Sequence, residues 1–264
     1  MQNTEALSPT EILQTLSTRT LGKRLYCLPE TDSTNEEVKR LARRGAPDGT
    51  VVTAERQTGG KGRLGRAWHS PADGGLYFTV LLREAHLPQH LTNLTLLSGL
   101  AVCTTLRELY GIDARIKWPN DIVVGARKLC GILAETDFAN GKAAWAAVGI
   151  GVNVNNPSFP ESIAFRATSL LLETKKQQSR AAVLQRILEH LEPLLEVGTL
   201  PPTYAQLCVS LGKPVSFTYD RHFLKGKAKG ITPDGLLLIE LPNGRTVTVG
   251  SGEVVVQGIY AQTV

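Results

Sequence analysis

The final stretch of the chain restricts its fold most. After Gly212 the segments 213–219, 223–231, 235–241, 245–249 and 253–259 read as short strands separated by Gly, Pro, Asp and Asn. Five short strands within about 50 residues predict a small β-barrel. The change of texture at Leu211-Gly212 divides the chain into a first domain, 1–211, and a second, 212–264.

The first domain mixes both hydrophobic periods. Ser8-Pro9-Thr10-Glu11 reads as a capping box with proline at the first helical position, opening a helix that carries Ile12, Leu13 and Leu16. A strand at 24–27 follows. Asp32-Ser33-Thr34-Asn35-Glu36-Glu37 then supplies N-caps and an acidic first turn for a helix with Val38, Leu41 and Ala42 on one face, stopped at Gly45. Strands at 50–54 and 76–82 flank a Gly-rich basic loop. The longest helical stripe runs from Leu91 to Leu109 and ends at Gly111. Strands at 114–118, 121–124 and 128–135 come next, with Gly125-Ala126 as the turn between the last two. Asn140-Gly141 turns the chain into a strand at 143–154. A helix from Ser179 to Leu195 carries Val183, Leu184, Ile187, Leu188 and Leu191, and Pro193 is expected to kink or end it.

Composition excludes several classes. Of 264 residues, 29 are Lys or Arg and 24 are Asp or Glu, a formal charge of +5, with 42% apolar and 20% charged residues. That is an ordinary globular mixture. No apolar run approaches the ~18–20 residues of a membrane span. The N-terminus has neither the basic nor the apolar region of a secretory signal. The four cysteines, at 27, 103, 130 and 208, form no CxxC pair, so reduced, mostly buried thiols in a cytoplasmic protein are expected. The five histidines show no HxH, HxxxH or HExxH spacing, which argues against a His-based metal site. The basic residues are scattered, so a nucleic-acid partner is permitted and not required. Only about 20 residues precede the first strand, too few for a helix-turn-helix module.

Four segments carry chemistry. In Thr58-Gly59-Gly60-Lys61-Gly62-Arg63-Leu64-Gly65-Arg66, four glycines are interspersed with three cations. Glycines let backbone amides approach an anion, and the cations supply charge. The stretch contains GxGxxG, but Ala67-Trp68-His69-Ser70-Pro71 does not open a helix, so the dinucleotide reading fails. It reads either as a solvated loop or as a lid that orders on an anionic ligand. Lys117-Trp118-Pro119-Asn120-Asp121 sets a Lys and an Asp across a proline-fixed turn, as a surface ion pair or as a grip on phosphate and metal. In Arg127-Lys128-Leu129-Cys130-Gly131-Ile132-Leu133, strand alternation places Lys128 and Cys130 on one face, with Cys130 read as a core thiol. Gly149-Ile150-Gly151-Val152-Asn153 puts two glycines inside a strand, which weakens it unless something packs closely there.

In their order and spacing these segments, together with Ser33-Thr34-Asn35 and Gln57, resemble the catalytic core of biotin–protein ligases over roughly residues 24–155. The resemblance implies an α+β fold: a mixed β-sheet packed by helices, of the class II synthetase-like biotin–lipoate ligase kind, followed by a small SH3-like β-barrel. It implies a two-step reaction. Biotin and ATP give biotinyl-5′-adenylate and pyrophosphate, and the biotinyl group then passes to one lysine of a carrier protein.

The resemblance also implies residue roles. Lys128, Lys117, Asp121 and Arg63 would be catalytic. Ser33, Thr34, Asn35, Gln57, Gly60, Lys61, Gly62, Arg63, Lys128, Gly131 and Gly149 would bind biotin. Lys61, Arg63, Arg66, Trp68, Lys117, Asn120, Lys128 and Asn153 would bind ATP or the adenylate. Asp121 is the candidate for Mg²⁺ and, in the second step, for a base or an orienting group. Lys61 stands where many members carry Arg, which keeps the charge and loses the bidentate geometry. The implied partner is the biotin carboxyl carrier domain of a biotin-dependent carboxylase, with no DNA and no membrane; a homodimer stays open. Two alternatives remain: a lipoate or octanoate ligase or transferase, and a nucleic-acid-binding module supported by the basic pI, the Gly/Arg loop and Lys225, Lys227 and Lys229 on one face of a barrel strand.

Overall fold

The computed structural model describes residues 6–72, 74–250 and 254–260. A short helix, α1 (Pro9–Thr15), precedes β1 (Leu25–Thr31), α2 (Thr34–Arg43), β2 (Val51–Gln57) and β3 (Leu76–Leu82). The long helix α3 (Thr92–Tyr110) leads into β4 (Ala114–Lys117), β5 (Asp121–Val124), β6 (Arg127–Ala139) and β7 (Lys142–Val152). These strands form one sheet in the order β1-β2-β3-β7-β6-β5-β4, in which β1 and β2 run parallel and every other pair is antiparallel. The expected mixed sheet is therefore present.

Helices cover both faces, and β3 shows why. All seven of its residues are buried. Leu76, Phe78, Val80 and Leu82 join the main core with α3 and α6 (Arg180–Val197), whereas Leu81 joins Val38 and Ala42 of α2 on the opposite face. Strand alternation then fixes the faces of β7: Ala146, Val148, Ile150 and Val152 go to the main core, and Trp145, Ala147, Gly149 and Gly151 face the α2 side. Most of the candidate site residues gather on that α2 side.

Three local expectations are corrected. Ser8 sits at the N-cap of α1 but makes no side-chain cap bond; the chain before the helix is held by Leu7 N, which donates to Glu55 Oε1 at 2.9 Å. Of the two outcomes expected at Pro193, a kink or an end, the end is not seen: α6 continues to Val197, with Leu191 and Leu195 on either side of it buried in the core. Lys128 and Cys130 do not share a face. The β5–β6 register pairs Ile122 with Cys130 and Val123 with Lys128, so Leu129 is an extra residue, and both Leu129 and Cys130 enter the core. A bulge re-aims the side chains on either side of it.

Beyond β7, the short helices α4 (Glu161–Ala164) and α5 (Leu170–Thr174) precede α6, and α7 (Thr203–Leu207) follows it. The final strands are β8 (Pro214–Tyr219), β9 (His222–Ile231), β10 (Leu237–Glu240), β11 (Thr246–Val249) and β12 (Val254–Val256). They form an antiparallel sheet in the order β11-β10-β9-β8-β12. The edge strands β11 and β12 are not paired with each other among the described residues. The expected barrel is thus seen as a five-stranded sheet, and Val215, Phe217, Ile239 and Val256 continue the core of the large sheet. The last expected strand, 253–259, shrinks to β12; its first residue, Glu253, lies outside the described residues. All four cysteines are free, three buried and Cys27 half-buried. Among the described residues no helix is long and apolar enough to cross a membrane.

Candidate active site

A cleft opens on the α2 side of the large sheet. It is built from the N-terminus of α2, the end of β2, the Gly-rich loop and the middles of β6 and β7. Twelve of the residues singled out in the sequence line it: Ser33, Thr34, Asn35, Gln57, Lys61, Gly62, Arg63, Trp68, Asn120, Lys128, Gly131 and Gly149. Residues separated by more than 100 positions in sequence meet there because the α2 helix crosses β3 and β7.

One end of the cleft is neutral and polar. Gln57 Oε1 accepts from the Thr34 amide at 2.9 Å and from the Thr34 hydroxyl at 3.1 Å, while Gln57 Nε2 donates to Ser70 Oγ at 2.9 Å. Thr79 Oγ1 donates to Asn35 Oδ1 at 2.7 Å, and Asn35 Nδ2 donates to Glu135 Oε2 at 2.8 Å. Lys39 closes the chain on Glu135 Oε1 at 2.6 Å. These bonds lock the rotamers of a buried polar floor. Thr79 and Glu135, on strands, and Ser70, in the loop before β3, were missed in the sequence, because a lone polar residue carries no spacing signal.

The other end is cationic. Lys128 is aimed there by the Leu129 bulge, and its Nζ lies 2.6 Å from Asp121 Oδ1 and 5.1 Å from the Trp68 ring. Arg63 donates to Asn120 Oδ1 at 3.0 Å, and Asn120 Nδ2 donates to the Ile132 carbonyl at 3.2 Å. Burial lowers the pKa of the Arg63 guanidinium, partly offset by the nearby Asp121 charge. Lys61 does not join this group: it pairs with Glu36 Oε1 of α2 at 2.6 Å, an oxygen that also accepts from Lys39 at 3.0 Å. The Lys61 side chain is half-exposed, so this ion pair contributes little to stability.

Five of the expected residues do not line the cleft. Lys117 and Asp121 sit one layer behind Lys128, both buried, with 4.0 Å between Lys117 Nζ and Asp121 Oδ2. Burial pushes the Asp121 carboxyl up, but the charges of Lys128 and Lys117, with hydrogen bonds from Lys128 and Tyr260, leave it below the ordinary aspartate value. Asn153 is buried and supports the strand that carries Lys128: its amide N–H donates to the Leu129 carbonyl and its Nδ2 to the Thr168 carbonyl, both at 2.9 Å. Gly60 lies at the neck of the loop, where its carbonyl accepts from the Trp68 amide at 2.9 Å. Arg66 is exposed on the outer limb of the loop.

The strand glycines make room for side chains. A Cβ on Gly149 would lie 2.1 Å from Asn35 Oδ1, and one on Gly151 would lie 2.5 Å from Trp68 Nε1. A Cβ on Gly131 would lie 2.9 Å from the Trp68 ring. Asn35 cannot retreat without breaking its bonds to Thr79 and Glu135. Gly149→Ala is therefore expected to lower stability by about 1–3 kcal/mol through overpacking. A urea midpoint equal to that of the parent chain would contradict this placement of Asn35.

Residues 27–153 match the biotin/lipoate A/B protein ligase family, and residues 210–256 match the biotin protein ligase C-terminal domain. Over 247 residues the chain is 35% identical to the bifunctional ligase/repressor BirA of Bacillus subtilis, with 90% of this chain and 76% of that protein covered. The chain belongs to the biotin–protein ligase family. It is also 32% identical over 244 residues to the biotin–[acetyl-CoA-carboxylase] ligase of Mycobacterium tuberculosis, covering 88% of this chain and 89% of that one. Among solved structures, the biotin protein ligase of Aquifex aeolicus in complex with biotin and ATP superposes with a TM-score of 0.75. That match is 34% identical and covers 89% of this chain and 99% of the other. The C-terminal match and these named relatives are of the biotin kind, so the lipoate alternative falls away.

Proposed function

We propose that this cleft is where the ligase joins biotin to the α-phosphate of ATP, and from which it passes the biotinyl group to a lysine of a biotin carboxyl carrier domain. The observation that carries the assignment is the polarity of the cleft. Its neutral floor of Ser33, Thr34 and Gln57 suits a ureido ring, which both donates and accepts hydrogen bonds. Its far end holds Lys128 and Arg63, where a carboxylate and a phosphate, both anionic, must meet. Fixed cations at that meeting point stabilise the charge that builds as the carboxylate oxygen bonds to phosphorus and pyrophosphate departs. The walls hold the two reactants in line.

In this reading Lys128 bridges carboxylate and α-phosphate, Arg63 grips the phosphate side, and Asn120 holds Arg63 in place, whereas Lys61 is paired with Glu36 toward the α2 end. Asp121 acts as an orienting anion for Lys128. Two lysines and a tyrosine hold its carboxyl below the ordinary aspartate value, which makes it a weak proton acceptor for the second step. Asp121 also fits a metal poorly. Lys128 occupies its Oδ1 and Tyr260 its Oδ2, each at 2.6 Å. Among the described residues no group of three or more His, Cys, Asp or Glu is placed to hold an ion. Mg²⁺ is expected to enter with the nucleotide, bound to its phosphates. The division at 211/212 is part of the proposal, with residues 1–211 forming the cleft. So is a cytoplasmic location, where ATP and carboxylase carriers are found.

The test is transfer itself. Incubated with biotin, MgATP and an isolated biotin carboxyl carrier domain, the protein should add one biotinyl group to one carrier lysine, read by intact mass. A carrier that stays unmodified, or one modified without ATP, would contradict the proposal.

A further inference from the structure

The segment after β12 returns to the site of the large sheet. Tyr260 donates its hydroxyl to Asp121 Oδ2 at 2.6 Å, and its amide N–H donates to the carbonyl of Ala126, in the β5–β6 turn, at 3.0 Å. Lys117 Nζ lies 5.0 Å from the centre of its ring, within cation–π range. Tyr260 adopts φ +62°, a left-handed conformation that a bulky residue enters only when its surroundings hold it there. The Tyr260 backbone thus grips the hairpin turn leading into Lys128, and its side chain grips the anion that pairs with Lys128.

We infer that Tyr260 is a positioning residue for adenylation, acting on Lys128 through Asp121. Asp121 presents two oxygens to two lysines. With Oδ2 taken by the Tyr260 hydroxyl, Oδ1 is the oxygen left to Lys128, and the ammonium is held at the wall of the cleft. Without that hydroxyl the carboxylate is free to turn. It then draws Lys128 back toward Lys117 and away from the point where carboxylate and phosphate meet. The hydrogen bonds of Tyr260 go to Asp121 and Ala126, and neither residue is assigned to the ureido ring, so the effect is expected on turnover and not on biotin recognition. The groups facing Asp121 are Lys117 from β4, Lys128 from β6, Arg63 from the loop and Tyr260 itself.

This inference rests on the ligase reading, and one double-mutant cycle separates the two. The full chain, Tyr260→Phe, Asp121→Asn and the double variant are compared in biotin-dependent ATP–pyrophosphate exchange. Phe keeps the ring over Lys117 and removes only the hydroxyl. Tyr260→Phe should lower kcat about tenfold, the loss of a hydrogen bond to a charged group, with the KM for biotin unchanged. In the Asp121→Asn background, where the charge it steers is gone, the same change should move kcat by no more than about twofold. Equal losses in both backgrounds, a raised KM for biotin with kcat intact, or no loss at all would overturn the inference. Absence of biotin-dependent exchange in the parent chain would instead overturn the ligase reading.

Discussion

Lys128→Ala is expected to abolish measurable biotin-dependent pyrophosphate exchange while leaving a folded protein. The ammonium stands at the cationic end of the cleft, with 27% of its side chain exposed, and it is the cation the Leu129 bulge turns inward. Removing one preorganised group from the point of charge development typically lowers turnover by about 10²–10³-fold. The fold should survive because Asp121 keeps the Tyr260 hydroxyl and the nearby Lys117. The loss of a half-buried charge partner should lower stability by about 1–3 kcal/mol. Lys128→Arg keeps the charge but not the compact, rotatable ammonium, so it should restore only part of the rate. Near-normal exchange in Lys128→Ala would remove this residue from the reaction.

The largest effect on stability should come from a residue outside the cleft. Arg180, the first residue of α6, has a side chain only 3% exposed. A cation at a helix N-terminus opposes the helix dipole, so its own helix does not account for its place. It pairs instead with Glu55 of β2 at 2.6 Å and donates to the Gly75 carbonyl at 3.2 Å, just ahead of β3. The other Glu55 oxygen accepts from the Leu7 amide, so one ion pair ties α6, two strands and the chain before α1. Truncating one partner of a buried pair leaves the other charge uncompensated, at a cost of about 3–5 kcal/mol. Glu55 keeps 22% exposure, which places Arg180→Ala near 3 kcal/mol, or a fall in Tm of roughly 6–12 °C. An unchanged Tm would show that solvent, not Arg180, compensates Glu55. Catalytic rates below the new Tm should be unaltered, because the pair lies outside the cleft lining.

Much of the cleft lining was legible because it uses residue types that are unusual in their local setting. Glycines inside a strand and cations among loop glycines stand out from structural background. Gln57, Arg63, Asn120 and Lys128 duly converge on one cleft. What was hidden is what the third dimension decides. Period-2 alternation put Lys128 beside Cys130, and only the pairing with β5 reveals that Leu129 is an extra residue. Gly149 and Gly151 announced a close approach, but not that Asn35 and Trp68 are what approach. Asn153 belongs to a strand motif pointing at the site, yet its amide supports the segment at Thr168. Tyr260 lies 139 positions from Asp121, in a stretch without periodicity, and nothing local marks it. Pro193 was read by local geometry alone, whereas buried Leu191 and Leu195 carry the helix past it.

ATP–pyrophosphate exchange with Mg²⁺, measured with biotin and in parallel with lipoate and octanoate, tests the central claim most directly. The polarity of the cleft predicts exchange with biotin, and none above background with the other two acids, which lack the ureido ring proposed to sit on its floor. Exchange supported by lipoate or octanoate instead of biotin, or by no acid at all, would contradict the assignment of this cleft.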